Sequence, residues 1–229
     1  SGLMLGIRLS KGKKVTFNAY MDQFKNPWMT STLKTPGSSG FDYLMQLQYK
    51  PSKQLSMYAR IRRRSHPIDS NNDSEVIDVV DAKNRTNYRF NISYKVSESF
   101  TLRNRVELMQ YSRGTDASQG YLVYQDILYK PKSSNLSFSF RYALFDTEDF
   151  NSAIWAYEND ILYRFSIPAY YRTGTRTYLT LRYRVKRGID VWLRWAQWHL
   201  KDIEEIGSSG QTINGNTKSD IRAQIRFKF

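Results

Sequence analysis

The sequence predicts an all-β chain that folds as a transmembrane antiparallel up-and-down β-barrel of about 12 strands, with short periplasmic turns and long extracellular loops. Three observations predict this fold. Apolar and polar side chains alternate in segments spread over the whole chain, short turns alternate with long loops, and aromatic residues make up 15% of the 229 residues. We expect one domain, residues 1–229. We also expect further sequence before residue 1, because the strand pattern is already present at the start.

Eleven segments show the alternation of apolar and polar residues that gives a strand two different faces. In the last segment, Ile, Ala, Ile, Phe and Phe alternate with Arg, Gln, Arg and Lys between Ile221 and Phe229. Most segments have about the ten residues that a tilted strand needs to cross a bilayer. In chain order the predicted strands are 3–9, 15–24, 41–49, 55–64, 87–94, 100–112, 121–129, 136–145, 178–185, 189–200 and 218–229.

The segment 218–229 ends on Phe229 and resembles the closing strand of bacterial outer-membrane β-barrels. Such strands end in an aromatic residue preceded by apolar residues at alternate positions. The resemblance implies a location in the outer membrane, with outer-membrane lipid around the barrel. The spacing of the strands agrees, because turns such as 51–53 and 186–188 are short, whereas connections such as 25–40 and 201–217 are long.

Composition argues against several other classes of protein. No apolar run approaches the ~20 residues that a spanning helix needs, and the chain has no Cys for a disulfide or a thiolate. The net charge of +14 comes largely from Arg residues at alternate strand positions rather than from one basic segment. We therefore expect no nucleic-acid partner. We also expect no cofactor.

The segment from about residue 147 to residue 175 breaks the pattern. Bacterial single-chain barrels have even strand numbers, so an eleventh strand needs a partner, either before residue 1 or in residues 154–167. A spanning strand at 154–167 would place the long loop 201–217 in the periplasm. We therefore favour an extracellular connection that folds over or into the pore. Its acidic residues Glu158 and Asp160 are our gate candidates.

The candidate pore-lining residues are arginines that share the inward face of the predicted strands. Few inward acids oppose them, chiefly Asp22, Asp42, Glu107, Asp126 and Asp190. Two outcomes stay open: a lumen filled by Arg–carboxylate pairs, and a passage that favours anions. The arginines are Arg60, Arg62, Arg89, Arg103, Arg105, Arg141, Arg182, Arg184, Arg194, Arg222 and Arg226.

Residues 151–171, the Gly-Ile-Asp-Val-Trp-Leu-Arg-Trp run at 188–195 and the Gly-Asn-Thr-Lys-Ser-Asp run at 215–220 carry a second resemblance. Together they resemble the barrel-like C-terminal region of Bacteroidota envelope proteins that contain a helix-hairpin-helix region. No helix-hairpin-helix motif is present here, so the resemblance implies no DNA binding.

The sequence thus favours a narrow, anion-favouring channel for small solutes. The alternative is a plugged barrel that anchors or scaffolds an envelope protein partner, and an outer-membrane hydrolase using His199 comes third. We predict no enzyme and no metal site. His66 and His199 are the only histidines, and the acidic stretch 69–81 departs from a calcium loop at Ser74 and Val80.

Overall fold

The computed structural model describes residues 1–29, 33–70, 80–207, 210 and 212–228. These residues form β-strands and turns, and no helix is present among them. The strands are β1 (Gly2–Lys11), β2 (Val15–Asn26), β3 (Ser38–Tyr49), β4 (Leu55–Asp69), β5 (Val80–Lys95), β6 (Phe100–Arg113), β7 (Asp116–Tyr129), β8 (Leu136–Thr147), β9 (Ile154–Trp155), β10 (Ala169–Tyr170), β11 (Thr173–Lys186), β12 (Ile189–Leu200), β13 (Glu205–Ile206), β14 (Ile213–Asn214) and β15 (Thr217–Phe227).

Eleven strands form one antiparallel up-and-down sheet in the order β1-β2-β3-β4-β5-β6-β7-β8-β11-β12-β15. The two remaining pairs, β9 with β10 and β13 with β14, form separate two-stranded sheets. The all-β antiparallel prediction is therefore confirmed. All eleven predicted segments are strands of the large sheet.

The sequence predicts a closed barrel of about 12 strands, and the structure shows only the antiparallel sheet. Within the described residues the sheet has eleven strands rather than about 12, and no closed barrel is found. Separately, no helix long and apolar enough to cross a membrane is found among the described residues. The terminal aromatic residue Phe229 and the acidic stretch 71–79 lie outside the described residues.

Several strands are longer than the sequence predicts. β4 continues to Asp69, β7 begins at Asp116, and β11 begins at Thr173 instead of Tyr178. The physical reason is that backbone pairing does not require an apolar outer row. Polar residues extend a hairpin as long as both strands continue to exchange N–H···O=C bonds, as Thr173 and Gly174 do opposite Asp146 and Phe145.

The chain divides into two compact units, each described by itself. The first comprises residues 1–90 and 107–119. Its strands pair in long registers, for example Gly2↔Phe24 to Lys11↔Val15. Its buried side chains include Leu33, Met109 and Tyr111.

The second unit comprises residues 91–106 and 120–229 and contains most of the buried polar residues. In β7 burial alternates strictly, with Gly120, Leu122, Tyr124 and Asp126 buried and the residues between them exposed. The same period of two runs through β8, β11 and β12, so these strands present one common buried face.

The opposite face of the strands is apolar and exposed. Leu5 in β1 is 59% exposed, Leu47 in β3 50%, and Ile221 in β15 72%. Every strand of the large sheet carries at least one exposed large apolar or aromatic residue at the outward parity. Large exposed apolar patches are uncommon on soluble monomers.

Candidate functional site

The long connection between β8 and β11 is a hairpin, which we call the docking hairpin (residues 148–172). Its β9 pairs with β10 through Ala169↔Trp155 and Tyr170↔Ile154, and a bridge between Glu158 and Ser166 extends the pairing toward the tip. The segment 154–167 is therefore not a strand of the large sheet. This agrees with the expectation from the sequence that residues 147–175 form a connection outside the sheet.

The hairpin contacts three arginines that we call the arginine wall: Arg176 of β11, Arg194 of β12 and Arg222 of β15. They share one face because each stands at the inward parity of its strand. The register places Arg194 directly opposite Arg222 and next to Thr180 of β11. Like charges this close would repel each other unless carboxylates lay between them.

Glu158 supplies the central carboxylate. Its side chain is fully buried, and Arg176 donates from Nε to Oε1 at 3.0 Å and from Nη2 to Oε2 at 2.9 Å. Arg194 donates to Oε2 as well, and the Tyr170 hydroxyl donates to Oε1 at 2.8 Å. Four hydrogen bonds thus hold one carboxylate, two of them in the bidentate geometry that suits guanidinium groups.

Asp160 and Asn159 extend the contact toward the hairpin tip. Arg222 donates to the Asp160 carboxylate, whose side chain has no exposed surface. The Asn159 carbonyl accepts hydrogen bonds from Thr180 Oγ1 at 3.1 Å and from Arg194 Nε at 3.3 Å. Both gate candidates predicted from sequence therefore lie on the arginine wall, while their gating role stays a prediction.

A second buried ion pair supports the hairpin from β7 and β8. Arg141 donates to both oxygens of Asp126, at 2.6 and 2.8 Å. Its remaining Nη1 donates to the Tyr157 carbonyl of the hairpin at 2.8 Å and to the Tyr170 hydroxyl at 3.4 Å. Arg141 consequently connects the sheet to the hairpin backbone, and through Tyr170 to Glu158.

Close packing completes the seating of the hairpin. Ile154, Ala156 and Tyr170 are each at most 1% exposed. At Gly120 of β7, an added Cβ would lie 3.0 Å from the Ser152 carbonyl oxygen and 2.6 Å from Cγ2 of Thr147. Glycine at position 120 therefore permits the base of the hairpin to approach the sheet.

Burial and neighbouring groups shift the pKa values of two side chains of the docking hairpin, Glu158 and Tyr170. Burial alone would raise the pKa of Glu158, but the hydrogen bonds and charge of Arg176, with help from Tyr170 and Arg194, hold the pKa of that carboxyl below its ordinary value. Burial raises the pKa of Tyr170 well above its ordinary value, and the neighbouring Glu158 charge adds to this. The carboxylate is thus ionised and the phenol neutral at neutral pH.

Most of the other predicted arginines in the second unit gather around Asp190 or line the same inner face. Arg182 donates to Asp190 at 2.8 and 3.2 Å, Arg226 also donates to it, and Arg184 lies 3.9 Å away. Arg105 lies over the Tyr124 ring at 5.1 Å. Arg103 is exposed and lines a cavity below the hairpin tip.

In the first unit, Arg62 donates from Nε to Asp42 at 3.0 Å, and Arg89 donates twice to Glu107 at 2.8 Å. Arg60 lies on the same strand face as Arg62, two residues before it. The structure thus places four of the predicted inward acids, Asp42, Glu107, Asp126 and Asp190, in ion pairs with predicted arginines.

Sequence reasoning missed two charged residues of the site. Arg176 lies before the predicted start of its strand, yet it pairs with Glu158. Extending the alternation back by one step from Tyr178 would have found it. Asp220 contacts Arg222 at 3.0 Å and Arg194 at 3.4 Å. It stands at the inward parity of the last strand and was not counted among the inward acids.

The residues considered for other chemistry are separate from this network. His199 is exposed, and its Nδ1 lies 3.1 Å from the Thr217 hydroxyl. The His66 ring lies 5.2 Å from the Phe24 ring. Within the described ranges, no group of three or more His, Cys, Asp or Glu residues is placed to hold a metal ion.

Comparison with known proteins identifies no protein similar to this chain. No protein-family model, no curated protein and no solved structure matches the chain. The resemblance to Bacteroidota envelope proteins therefore stays a prediction.

Proposed function

We propose that this chain is a bacterial outer-membrane β-barrel protein that forms a narrow, arginine-lined, anion-favouring channel for small solutes. In the resting state the docking hairpin closes the passage. One observation carries this proposal. A segment outside the large sheet places a buried carboxylate, Glu158, between Arg176 and Arg194. An acidic segment seated on a cationic wall occupies the position that a permeating anion would take.

The membrane location is supported by the two faces of the strands. One face carries exposed apolar residues such as Leu5, Leu47 and Ile221, and the other carries ion-paired arginines. A lipid-facing row beside a polar interior is the pattern of a transmembrane barrel. Lipid cannot hydrogen-bond the backbone, so strands that span a bilayer must close into a barrel.

The proposed gate works by competition between charges. In the resting state Glu158 and Asp160 neutralise much of the arginine wall. When the hairpin leaves, Arg176, Arg194 and Arg222 remain fixed on three neighbouring strands of the sheet. Fixed cations lower the energy of a permeating anion and raise that of a cation, so the released channel should favour anions.

Planar-bilayer recording tests the proposal. We expect the wild-type protein to open rarely, and the Glu158→Gln/Asp160→Asn double variant to open often. In a KCl gradient the reversal potential should indicate preference for chloride. A preference for potassium would contradict the arginine-lined passage, and failure of the folded protein to insert into lipid vesicles would contradict the membrane location.

Acidification should also release the hairpin. The folded-state pKa of Glu158 lies below its ordinary value of 4.5, so its contribution to docking is present above that value and is lost as pH falls through the lower folded-state pKa. We expect the frequency of opening to rise only in this acidic range. The Glu158→Gln variant should lack this part of the pH response, and an equal response in the variant would contradict the role of Glu158.

The anchor or scaffold function is the second candidate, and one observation favours it. Around the hairpin the three acids Glu158, Asp160 and Asp220 face the three arginines of the wall, and Asp126 faces Arg141. Such balanced pairs are typical of a filled lumen. A double variant that inserts into the bilayer and stays silent would favour this function over the channel.

A further inference from the structure

A cavity of about 270 Å³ lies beside the tip of the docking hairpin, on the inner face of the second unit. Asn159 and Asp160 of the hairpin form one side of it. The remaining walls come from β6, β7, β8, β11 and β12, close to the short turns at 130–135 and 186–188. The cavity therefore lies at the turn end of the strands, beyond the tip of the hairpin.

Two of the three cations that line the cavity have no carboxylate partner among the described contacts. Arg103, Lys130 and Arg182 line the cavity. Arg182 shares Asp190 with Arg226. Within the described part of the chain, the hydrogen bonds and ion pairs found give Arg103 and Lys130 no carboxylate.

The acid that lines the cavity does not alter this balance. Asp160 is already held by Arg222, with Arg194 3.7 Å away. Each arginine of the arginine wall has a carboxylate partner. In the cavity, Arg103 and Lys130 have none among the described contacts. Arg103 and Lys130, with Arg182 beside them, would therefore attract an anion that enters from the turn end.

The rest of the lining indicates what kind of anion fits. Leu128 and the buried ring of Trp192 form an apolar side, and the Ser139 and Thr180 side chains add hydroxyl groups. At about 30 Å³ per water molecule, the volume equals roughly nine waters. That is room for one small ring or a short chain with a single charged group.

We propose that this turn-side cavity binds a small organic anion, with one carboxylate or phosphate facing Arg103, Lys130 and Arg182 and an apolar body against Trp192. The biological role of this ligand, as a solute on its way through the passage, rests on the proposed function. Its binding does not, because the cavity is formed with the hairpin in place.

Phenyl phosphate is a suitable probe, and isothermal titration calorimetry of the folded protein in detergent micelles measures its binding. We expect saturable binding by the wild type. Arg103→Met should weaken it about tenfold, as expected for loss of one charge-assisted contact. Arg103 is exposed and has no carboxylate partner among the described contacts, so this substitution should leave the fold intact.

Arg187→Met is the matched control, because it removes the same charge from an exposed residue of the nearby turn that does not line the cavity. Its affinity should equal that of the wild type. Phenol tests the need for charge, and inorganic phosphate tests the need for the apolar body; both should bind at least about tenfold more weakly than phenyl phosphate.

Several results would overturn the proposal: no binding of phenyl phosphate, equal affinity in the wild type and Arg103→Met, or equal loss of affinity in Arg187→Met. Phenol or inorganic phosphate binding as tightly as phenyl phosphate would also overturn it. The bilayer experiment is independent of these results. If phenyl phosphate does not bind but the protein conducts, only the proposed binding cavity is refuted. If phenyl phosphate binds but the protein does not conduct, only the proposed channel is refuted.

Discussion

Replacing Glu158 with glutamine should free the docking hairpin from the sheet. The substitution keeps the shape of the side chain but removes the nearest carboxylate from Arg194, which is fully buried, and from Arg176, which is 3% exposed. Longer contacts from these arginines to Asp160 and Asp220, at 3.4 to 3.8 Å, remain. Breaking a buried ion pair costs about 3–5 kcal/mol. We expect the low end, about 3 kcal/mol, because the amide oxygen still accepts one hydrogen bond. Amide hydrogen exchange in residues 148–172 should therefore become about a hundredfold faster.

The control for Glu158 is Glu98→Gln. Glu98 also forms an ion pair, at 2.7 Å with Lys132, but both side chains are at least 80% exposed. Exposed pairs contribute little, so exchange in the hairpin should not change. Unchanged exchange in Glu158→Gln would contradict the docking role, and a uniform acceleration over all strands would indicate global destabilisation.

Replacing Asp126 with leucine should have the second large effect. It removes both carboxylate contacts of Arg141, whose side chain is only 2% exposed. The uncompensated guanidinium should reduce the free energy of unfolding by about 3–5 kcal/mol. Urea-induced unfolding of the protein in lipid vesicles, followed by tryptophan fluorescence, measures this change.

A second substitution distinguishes the effect of the unpaired Arg141 charge from the effect of changed side-chain packing. In the Asp126→Leu/Arg141→Met double variant no buried charge is left unpaired, so stability should recover part of the loss. Recovery should be incomplete, because Met cannot replace the hydrogen bond from Arg141 to the Tyr157 carbonyl. The Asp42→Leu variant is the comparison, since its partner Arg62 is 34% exposed and its loss should be smaller. A double variant less stable than Asp126→Leu would contradict this explanation.

The face of each strand could be predicted from the sequence because side-chain direction in a strand is a local property with a period of two. Arg141, Arg194 and Arg222 were placed on the inner face on this basis, and all three lie there. Strand ends were harder to predict. β11 begins five residues earlier than predicted, at Thr173, because its pairing with β8 continues through polar residues that have no apolar pattern.

The partners of the arginines were only partly predictable. Asp42 lies 20 residues from Arg62, in the adjacent strand of the same hairpin, where alternation and turn length together suggest the pair. Glu158 lies 18 residues from Arg176 and 36 from Arg194. No turn of the sheet relates these positions, so the sequence indicated an acidic segment near an arginine-rich face without indicating the contacts.

By itself the sequence determined the strands, their two faces and the connection that leaves the sheet, because alternation and turn spacing act over a few residues. The tertiary structure decided that this connection folds into a hairpin, that Glu158 enters between Arg176 and Arg194, and that Arg103 and Lys130 line one cavity. These outcomes depend on which distant strands pair and on which charges burial forces to neutralise each other, since a buried charge is stable only with a partner.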